Sequence, residues 1–268
     1  MQNALCGLDE GAEKTSIPLK LWRESAMKID YKLSVAFCAV DETSSLENAF
    51  RKIESYHAAS EYIFILSKTC TEGCLKTVQR LCAREDCRWM FQSGSGLGNA
   101  IQDVIENANG THLLIWPADN GMDTTEFPTM AALSRKNPKS IVTISRWLRK
   151  ESFQNYGKMR KIVNYLSQKA FSFLYHSDLT DYTVPMQIAP LNLYRSIRWE
   201  ETGFSFVPEM TFKPLRLGAH FIEIPCKDFG RQGRKSHSNL WELLKYYYVV
   251  WRIRWMNLDD IRKEDADK

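Results

Sequence analysis

The sequence predicts an α/β fold with a mostly parallel central sheet and helices on both faces. Two observations carry this. Apolar runs of strand length recur between Tyr31 and Ile144, each followed by a segment with an apolar helical stripe. The run Tyr62-Ile63-Phe64-Ile65-Leu66 is apolar almost throughout, as expected for a strand covered on both sides.

Residues 33–39 read as the first strand, closed by the polar turn Asp41-Glu42-Thr43-Ser44, and a helix with Leu46, Phe50 and Ile53 on one face follows. Residues 62–66 form the second strand, 71–81 a helix and 89–91 a third strand. Gly94, Gly96 and Gly98 make a flexible turn into a helix over 99–108, which Asn109-Gly110 closes with residue types suited to a left-handed cap. A strand at 113–116, a helix over 126–133 and a strand at 140–144 complete the alternation. Ligands of such sheets sit beyond the carboxyl ends of the strands, so the turns at Asp41-Glu42, Ser67-Lys68 and Asp119-Asn120 converge on one crevice.

Past residue 145 the character changes. Arg146, Arg149, Lys150, Lys158, Arg160 and Lys161 cluster around Trp147 and Tyr156, ahead of a long helix over 159–175. A loop over 179–187 leads to a helix near Leu193, then a helix begun by 204–210 and a strand at 220–225. A basic loop at 231–238 and an aromatic helix over 239–255 close the pattern. The reading by domain is an extension at 1–30, the α/β domain at 31–230, and the basic loop with an amphipathic helix at 231–268.

With 268 residues, 44% of them hydrophobic and 12% aromatic, the chain can bury a sizeable core. No apolar run reaches bilayer-spanning length, and residues 1–20 lack a basic segment followed by an apolar one, so a cytoplasmic protein without a signal peptide is expected. A net charge of +4 is too mild to point to nucleic acid. The seven cysteines are expected as thiols, with Cys70, Cys74, Cys82 and Cys87 spaced more loosely than structural zinc ligands. His57, His112, His176 and His220 are scattered and read as structural.

The order of elements and the loop residues resemble the family 2 glycosyltransferases of the GT-A fold, in particular the subgroup that transfers sugars to polyprenyl phosphates, over about residues 33–255. The family's first strand ends in Pro-Ala-Tyr-Asn-Glu, here Cys38-Ala39-Val40-Asp41-Glu42. Its second ends in Asp-Asp-Gly-Ser, here Ser67-Lys68-Thr69-Cys70. Its Gly-x-Gly helix start appears as Gly96-Leu97-Gly98, and its Asp-Ala-Asp becomes Pro117-Ala118-Asp119. The acceptor-side Thr-Asp is Thr180-Asp181, and the Arg-x-x-x-x-Ser-Lys loop runs from Arg231 to His237. Gly203-Phe204 through Glu209 and Leu215-Arg216-Leu217-Gly218 also follow the family.

The resemblance implies a nucleoside-diphosphate sugar held by Ala39, Asp41, Glu42, Ser67, Ala118 and Asp119, with a glycan or polyprenyl-phosphate acceptor on the far side. It implies Mg²⁺ or Mn²⁺ bound through the diphosphate and Asp119. That clamp is degenerate: Pro117 offers no ligand atom and Gly121 only backbone, so metal dependence is expected to be weak. Arg231 and His237 are the implied phosphate-binding pair, and a solvated basic loop is the alternative. Asp181 reads as the base toward an acceptor hydroxyl, or as a turn or capping carboxylate. Glu42 reads equally as an exposed turn residue, and Asp119 as a cap of the helix that follows. Three readings stay open: an active inverting transferase, an inactive homologue that partners or regulates one, and a plain membrane-surface adaptor.

The final helix aligns Leu240, Leu244, Tyr247, Trp251 and Trp255 in a stripe expected to pack on the domain, on a second copy in a homodimer, or at the inner face of the membrane. The basic cluster between Arg146 and Lys161 is expected to lie nearer the membrane.

Overall fold

The structure, a computed structural model, describes residues 30–118, 124–149, 152–153, 157–226 and 240–263. The chain divides into two units by its internal contacts, and the account that follows concerns the second, Tyr31–Lys268. Its elements run β1 (Leu33–Ala39), α1 (Ser44–Glu54), β2 (Glu61–Leu66), α2 (Glu72–Leu81), β3 (Cys87–Phe91), α3 (Leu97–Asn107), β4 (His112–Pro117), a 3-10 turn at Thr124–Glu126 and α4 (Phe127–Lys136). Then come β5 (Ile141–Ser145), α5 (Lys158–Tyr175), β6 (Gln187–Pro190), α6 (Leu191–Arg195), α7 (Phe206–Arg216), β7 (Phe221–Pro225), α8 (Leu240–Trp255) and α9 (Leu258–Ile261).

The seven-stranded sheet has the order β3-β2-β1-β4-β6-β5-β7. All neighbouring pairs are parallel except those of β6, which is antiparallel to both β4 and β5. The period-2 alternation sorts side chains to two covers. Leu33, Val35, Phe37, Phe64, Leu114 and Trp116 face α1, α2 and α4, where Phe37 and Phe64 stack at 5.2 Å. Ala36, Ile63, Ile65, Leu113 and Ile115 face α3, α6 and α7. Each such large apolar side chain contributes about 1.5–3 kcal/mol by leaving water, so the central strands anchor the domain.

Four expectations need correction. β6 falls at the end of the stretch read as loop. It is short and wholly buried, with Thr143 Oγ1 on β5 donating to the Met186 carbonyl beside it. Gly110 has no left-handed backbone; Gly96 and Gly218 are the described glycines with positive φ. Gly110 is needed for close approach, since a Cβ there would meet the Ser34 hydroxyl at 2.4 Å and the Lys32 carbonyl at 2.7 Å. Arg146 is buried, unlike the exposed Lys158 and Arg160. On α8 the residues that pack into the core are Tyr246, Val249, Val250 and Ile253; of the expected stripe Tyr247 packs against them, whereas Leu244, Trp251 and Trp255 point outward. Two helical stripes of equal spacing compete there, and the second forms the core with Phe171 of α5 and Phe212 of α7.

The turn at Gly96 and Gly98 is a packing joint. The Gly98 N–H donates to the Thr202 carbonyl at 2.8 Å, and a Cβ at Gly98 would lie 2.4 Å from the Glu201 carbonyl oxygen. The N-terminus of α3 is therefore closed by the chain's own backbone. The segment after Thr202 leads to a charged cluster at the junction of α7 and α8. Lys213, with no exposed surface, lies 2.7 Å from the equally buried Glu209 and 3.0 Å from Glu200. Glu209 also accepts the backbone N–H groups of Glu200 at 3.0 Å and Glu201 at 2.9 Å. From α8, Arg252 reaches Glu200, Glu201 and Glu209 at 3.2–3.5 Å.

Candidate functional site

Register places the ends of β2, β1 and β4 side by side. Ala39 sits opposite Leu66, and Cys38 opposite both Ile65 and Pro117. Ala39, Asp41, Glu42, Ser67 and Ala118 therefore occupy one edge of the sheet, as their positions after the strands foretold. Asp119, Arg231 and His237 lie outside the described residues.

Local hydrogen bonds fix the shape of this edge. The Glu42 carboxylate folds back on its own turn and accepts the N–H of Val40 at 2.8 Å and of Asp41 at 3.2 Å. The Ser67 N–H donates to the Ala39 carbonyl at 3.1 Å, and that of Thr71 to the Val40 carbonyl at 2.9 Å, so the two turns are tied together. Ser67 Oγ accepts the Thr69 N–H at 3.2 Å and pairs with the Thr69 hydroxyl at 2.9 Å, a serine turn that delivers the chain to Thr71, the N-cap of α2. Lys68 extends to the Ser93 carbonyl at 2.8 Å and joins this turn to the one after β3. Burial, reinforced by the Glu42 charge, pushes the Cys38 thiol up to about 12, so the end of β1 carries a neutral thiol.

The same edge continues past β6 to β5. Arg146 follows the last residue of β5, and Asp181 lies on the loop that enters antiparallel β6, so both sit at the carboxyl end of β5. Asp181 has no exposed side-chain surface. Its Oδ2 accepts from Arg146 Nε at 2.7 Å, and its Oδ1 from the guanidinium at 2.9 Å and from the Thr183 hydroxyl at 2.9 Å. Gln168 of α5 adds a contact at 3.4 Å and accepts the Tyr182 N–H at 2.8 Å. This two-pronged pairing fixes the guanidinium plane. Behind it, Glu223 of β7 accepts the N–H groups of Thr180 at 2.8 Å and Asp181 at 3.0 Å. Burial outweighs those bonds and raises the Glu223 carboxyl above its ordinary value, with the Asp181 charge adding to the rise.

The Arg146–Asp181 pair is the part of the site that the sequence did not disclose. Its members stand 35 positions apart, and Arg146 sits among other bases in the sequence. A faint signal exists in the acids of the loop, Asp178 and Asp181, set against the first base after a strand.

The donor set for a divalent cation is thin here. Pro117 ends β4 without a ligating side chain, and among the described residues no three His, Cys, Asp or Glu side chains are grouped to hold a metal. Cys82 and Cys87 lie 3.0 Å apart through their sulfurs, with Cys87 buried, and form no larger cluster. His112 is buried between Thr111 and the Pro138 carbonyl, and burial lowers its basicity.

A sheet of this order and strand direction, with its loops gathered at the carboxyl edge, is the GT-A fold of the nucleotide-sugar transferases. The chain belongs to glycosyl transferase family 2, whose model matches residues 34–197. Among solved structures it is similar to glucosyl-3-phosphoglycerate synthase from Mycobacterium tuberculosis in complex with Mn²⁺, uridine diphosphate and phosphoglyceric acid. That match has a TM-score of 0.65 at 13% identity, covering 86% of this chain and 81% of that one. The Mg²⁺ and uridine diphosphate complex of the same enzyme gives 0.65 at 14% identity, over 86% and 82%. The Mn²⁺ complex with uridine-diphosphate-glucose and phosphoglyceric acid gives 0.63 at 14%, over 86% and 82%. No curated protein matches the chain. Among the described residues no helix is long and apolar enough to cross a membrane.

Proposed function

We propose that the chain transfers a sugar from a nucleoside-diphosphate sugar to a glycan or polyprenyl-phosphate acceptor, with inversion at the anomeric carbon. The observation that carries this reading is the alignment of the ends of β2, β1 and β4 on one edge, in a chain of family 2. The turns after β1 and β2 would hold the nucleotide through Asp41, Glu42 and Ser67, with the small Ala39 and Ala118 leaving room beside them. In a single displacement the acceptor oxygen bonds to the anomeric carbon as the bond to the diphosphate breaks. A hydroxyl acceptor gives up its proton, whereas a phosphate acceptor is already anionic.

Asp181 is proposed as a positioning residue: its oxygens are committed to Arg146 and Thr183, so it aims the guanidinium at the acceptor side. Asp119 is the one carboxylate left of the Asp-x-Asp pair, and Mg²⁺ or Mn²⁺ would bind weakly through it and the diphosphate. Arg231 and His237 would supply positive charge to the leaving group in place of part of what the cation gives.

Pro117 also favours a second reading, an inactive homologue that partners or regulates an active transferase, because the position lacks a metal-binding side chain. Restoring the acid separates the two. Pro117→Asp is expected to raise Mn²⁺-dependent hydrolysis of uridine-diphosphate-glucose at least about tenfold, a modest part of the several kcal/mol a bound cation contributes. Wild-type activity together with this gain supports the transferase. An inert wild type rescued by the substitution supports the inactive homologue, and a folded variant without gain argues against a sugar-diphosphate pocket.

A further inference from the structure

Helices α5 and α8 lie side by side. They are joined by the Tyr175 hydroxyl donating to the Val250 carbonyl at 2.6 Å and Arg254 donating to the Leu174 carbonyl at 2.7 Å, with Phe171 packed 5.8 Å from Tyr247. Their inner faces build the core with α7. The outer faces carry large apolar side chains in helical register: Met159, Ile162, Leu166 and Phe173 on α5, and Trp241, Leu244, Tyr248, Trp251 and Trp255 on α8. Phe173 is 80% exposed, Trp241 74% and Trp255 64%. A patch of this kind across two neighbouring helices marks an interaction surface.

Charge decides what it meets. Helix α5 carries Lys158, Arg160, Lys161 and Lys169 and no acidic residue, whereas on α8 Lys245 and Arg252 are paired with Glu201 and its neighbours, so the positive charge of the patch comes from α5. A second copy applied to the same face would bring bases against bases. Anionic headgroups complement them, and tryptophan and tyrosine rings settle at headgroup depth. We propose that the outer faces of α5 and α8 dock on an anionic lipid bilayer without crossing it. The inner face of α5 contributes Gln168 to the Asp181 loop, so the docked surface would stand about one helix diameter, roughly 10 Å, from the acceptor side of the cleft. This surface does not depend on sugar transfer.

The test is cosedimentation of the full chain with phosphatidylcholine vesicles, with and without phosphatidylglycerol, at low and high salt. Binding is expected only with phosphatidylglycerol, and it should fall with salt. Lys158→Glu with Lys169→Glu should weaken it at least about twentyfold, given about fivefold per base. Leu166→Glu with Trp251→Glu should weaken it at least about tenfold while the melting temperature and molecular mass stay those of the wild type. Absence of binding to phosphatidylglycerol vesicles, or variants that bind like the wild type, would overturn the proposal. So would a wild-type dimer that Leu166→Glu with Trp251→Glu converts to monomer, since a second copy would then cover the face.

Discussion

Glu209→Ala is expected to lower the unfolding free energy by about 3–5 kcal/mol, because it leaves Lys213 charged and fully buried. For a domain of this size that corresponds to a drop in melting temperature of roughly 6–20 °C. The loss spreads beyond the pair. Glu209 also accepts two backbone N–H groups from the segment that closes the N-terminus of α3, and Arg252 ties the same cluster to α8. Replacing Glu209 and Lys213 together by Leu and Met should cost less than Glu209→Ala alone, since the buried cation leaves with its carboxylate and only the amides of Glu200 and Glu201 and the Arg252 guanidinium lose a partner. Thermal melts of the two variants check this. A Glu209→Ala loss under about 1 kcal/mol would mean that water reaches Lys213 and the junction is looser than described.

Arg146→Ala is expected to be the second large effect. It removes the main partner of a carboxylate with no exposed surface, and about 3–5 kcal/mol of stability should go with it. A double-mutant cycle with Asp181→Ala should show a coupling of about 2 kcal/mol or more. The cycle reports the pair but not its role, and a pH profile separates the roles. If Asp181 positions Arg146, then Asp181→Asn lowers turnover while the acidic limb of the rate profile keeps its midpoint. If Asp181 takes a proton from the acceptor, that limb disappears in the variant.

Strand periodicity makes most of the fold readable in the sequence. Apolar runs at Leu33–Ala39 and Glu61–Leu66 are long enough to stand out, and helices such as α1 bury one clear stripe. β6 was not readable because Gln187-Ile188-Ala189-Pro190 is too short to alternate, and its identity comes from long-range pairing with Leu113 and Val142 neighbours. Helix α8 is apolar nearly all round, so spacing alone could not choose between Tyr246-Val249-Ile253 and Leu244-Trp251-Trp255. Packing against Phe171 and Phe212 made that choice.

The candidate site divides along the same line. The edge proposed to hold the nucleotide follows from strand order, because residues just past the ends of parallel strands are brought together whatever lies between them. The edge around Arg146 depends on side chains meeting across the sheet, as Arg146 meets Asp181 and Glu223 meets the Thr180 amide, and no local pattern announces such meetings. Gly96 and Gly98 show the reverse case. They read in sequence as a flexible turn into a helix, but the backbone of Glu201 and Thr202 packs so closely on them that a Cβ at either would meet a carbonyl oxygen at 2.4 Å.

The central claim is that the edge formed by Ala39, Ser67 and Ala118 receives a nucleoside diphosphate. Calorimetric titration of the full chain with uridine diphosphate, with and without Mn²⁺, tests it most directly. Saturable binding that Mn²⁺ strengthens only slightly, and that Ser67→Tyr abolishes without lowering the melting temperature, is the expected result. A folded protein that takes up no uridine diphosphate under either condition, or one that binds it equally well with Ser67→Tyr, would contradict the claim.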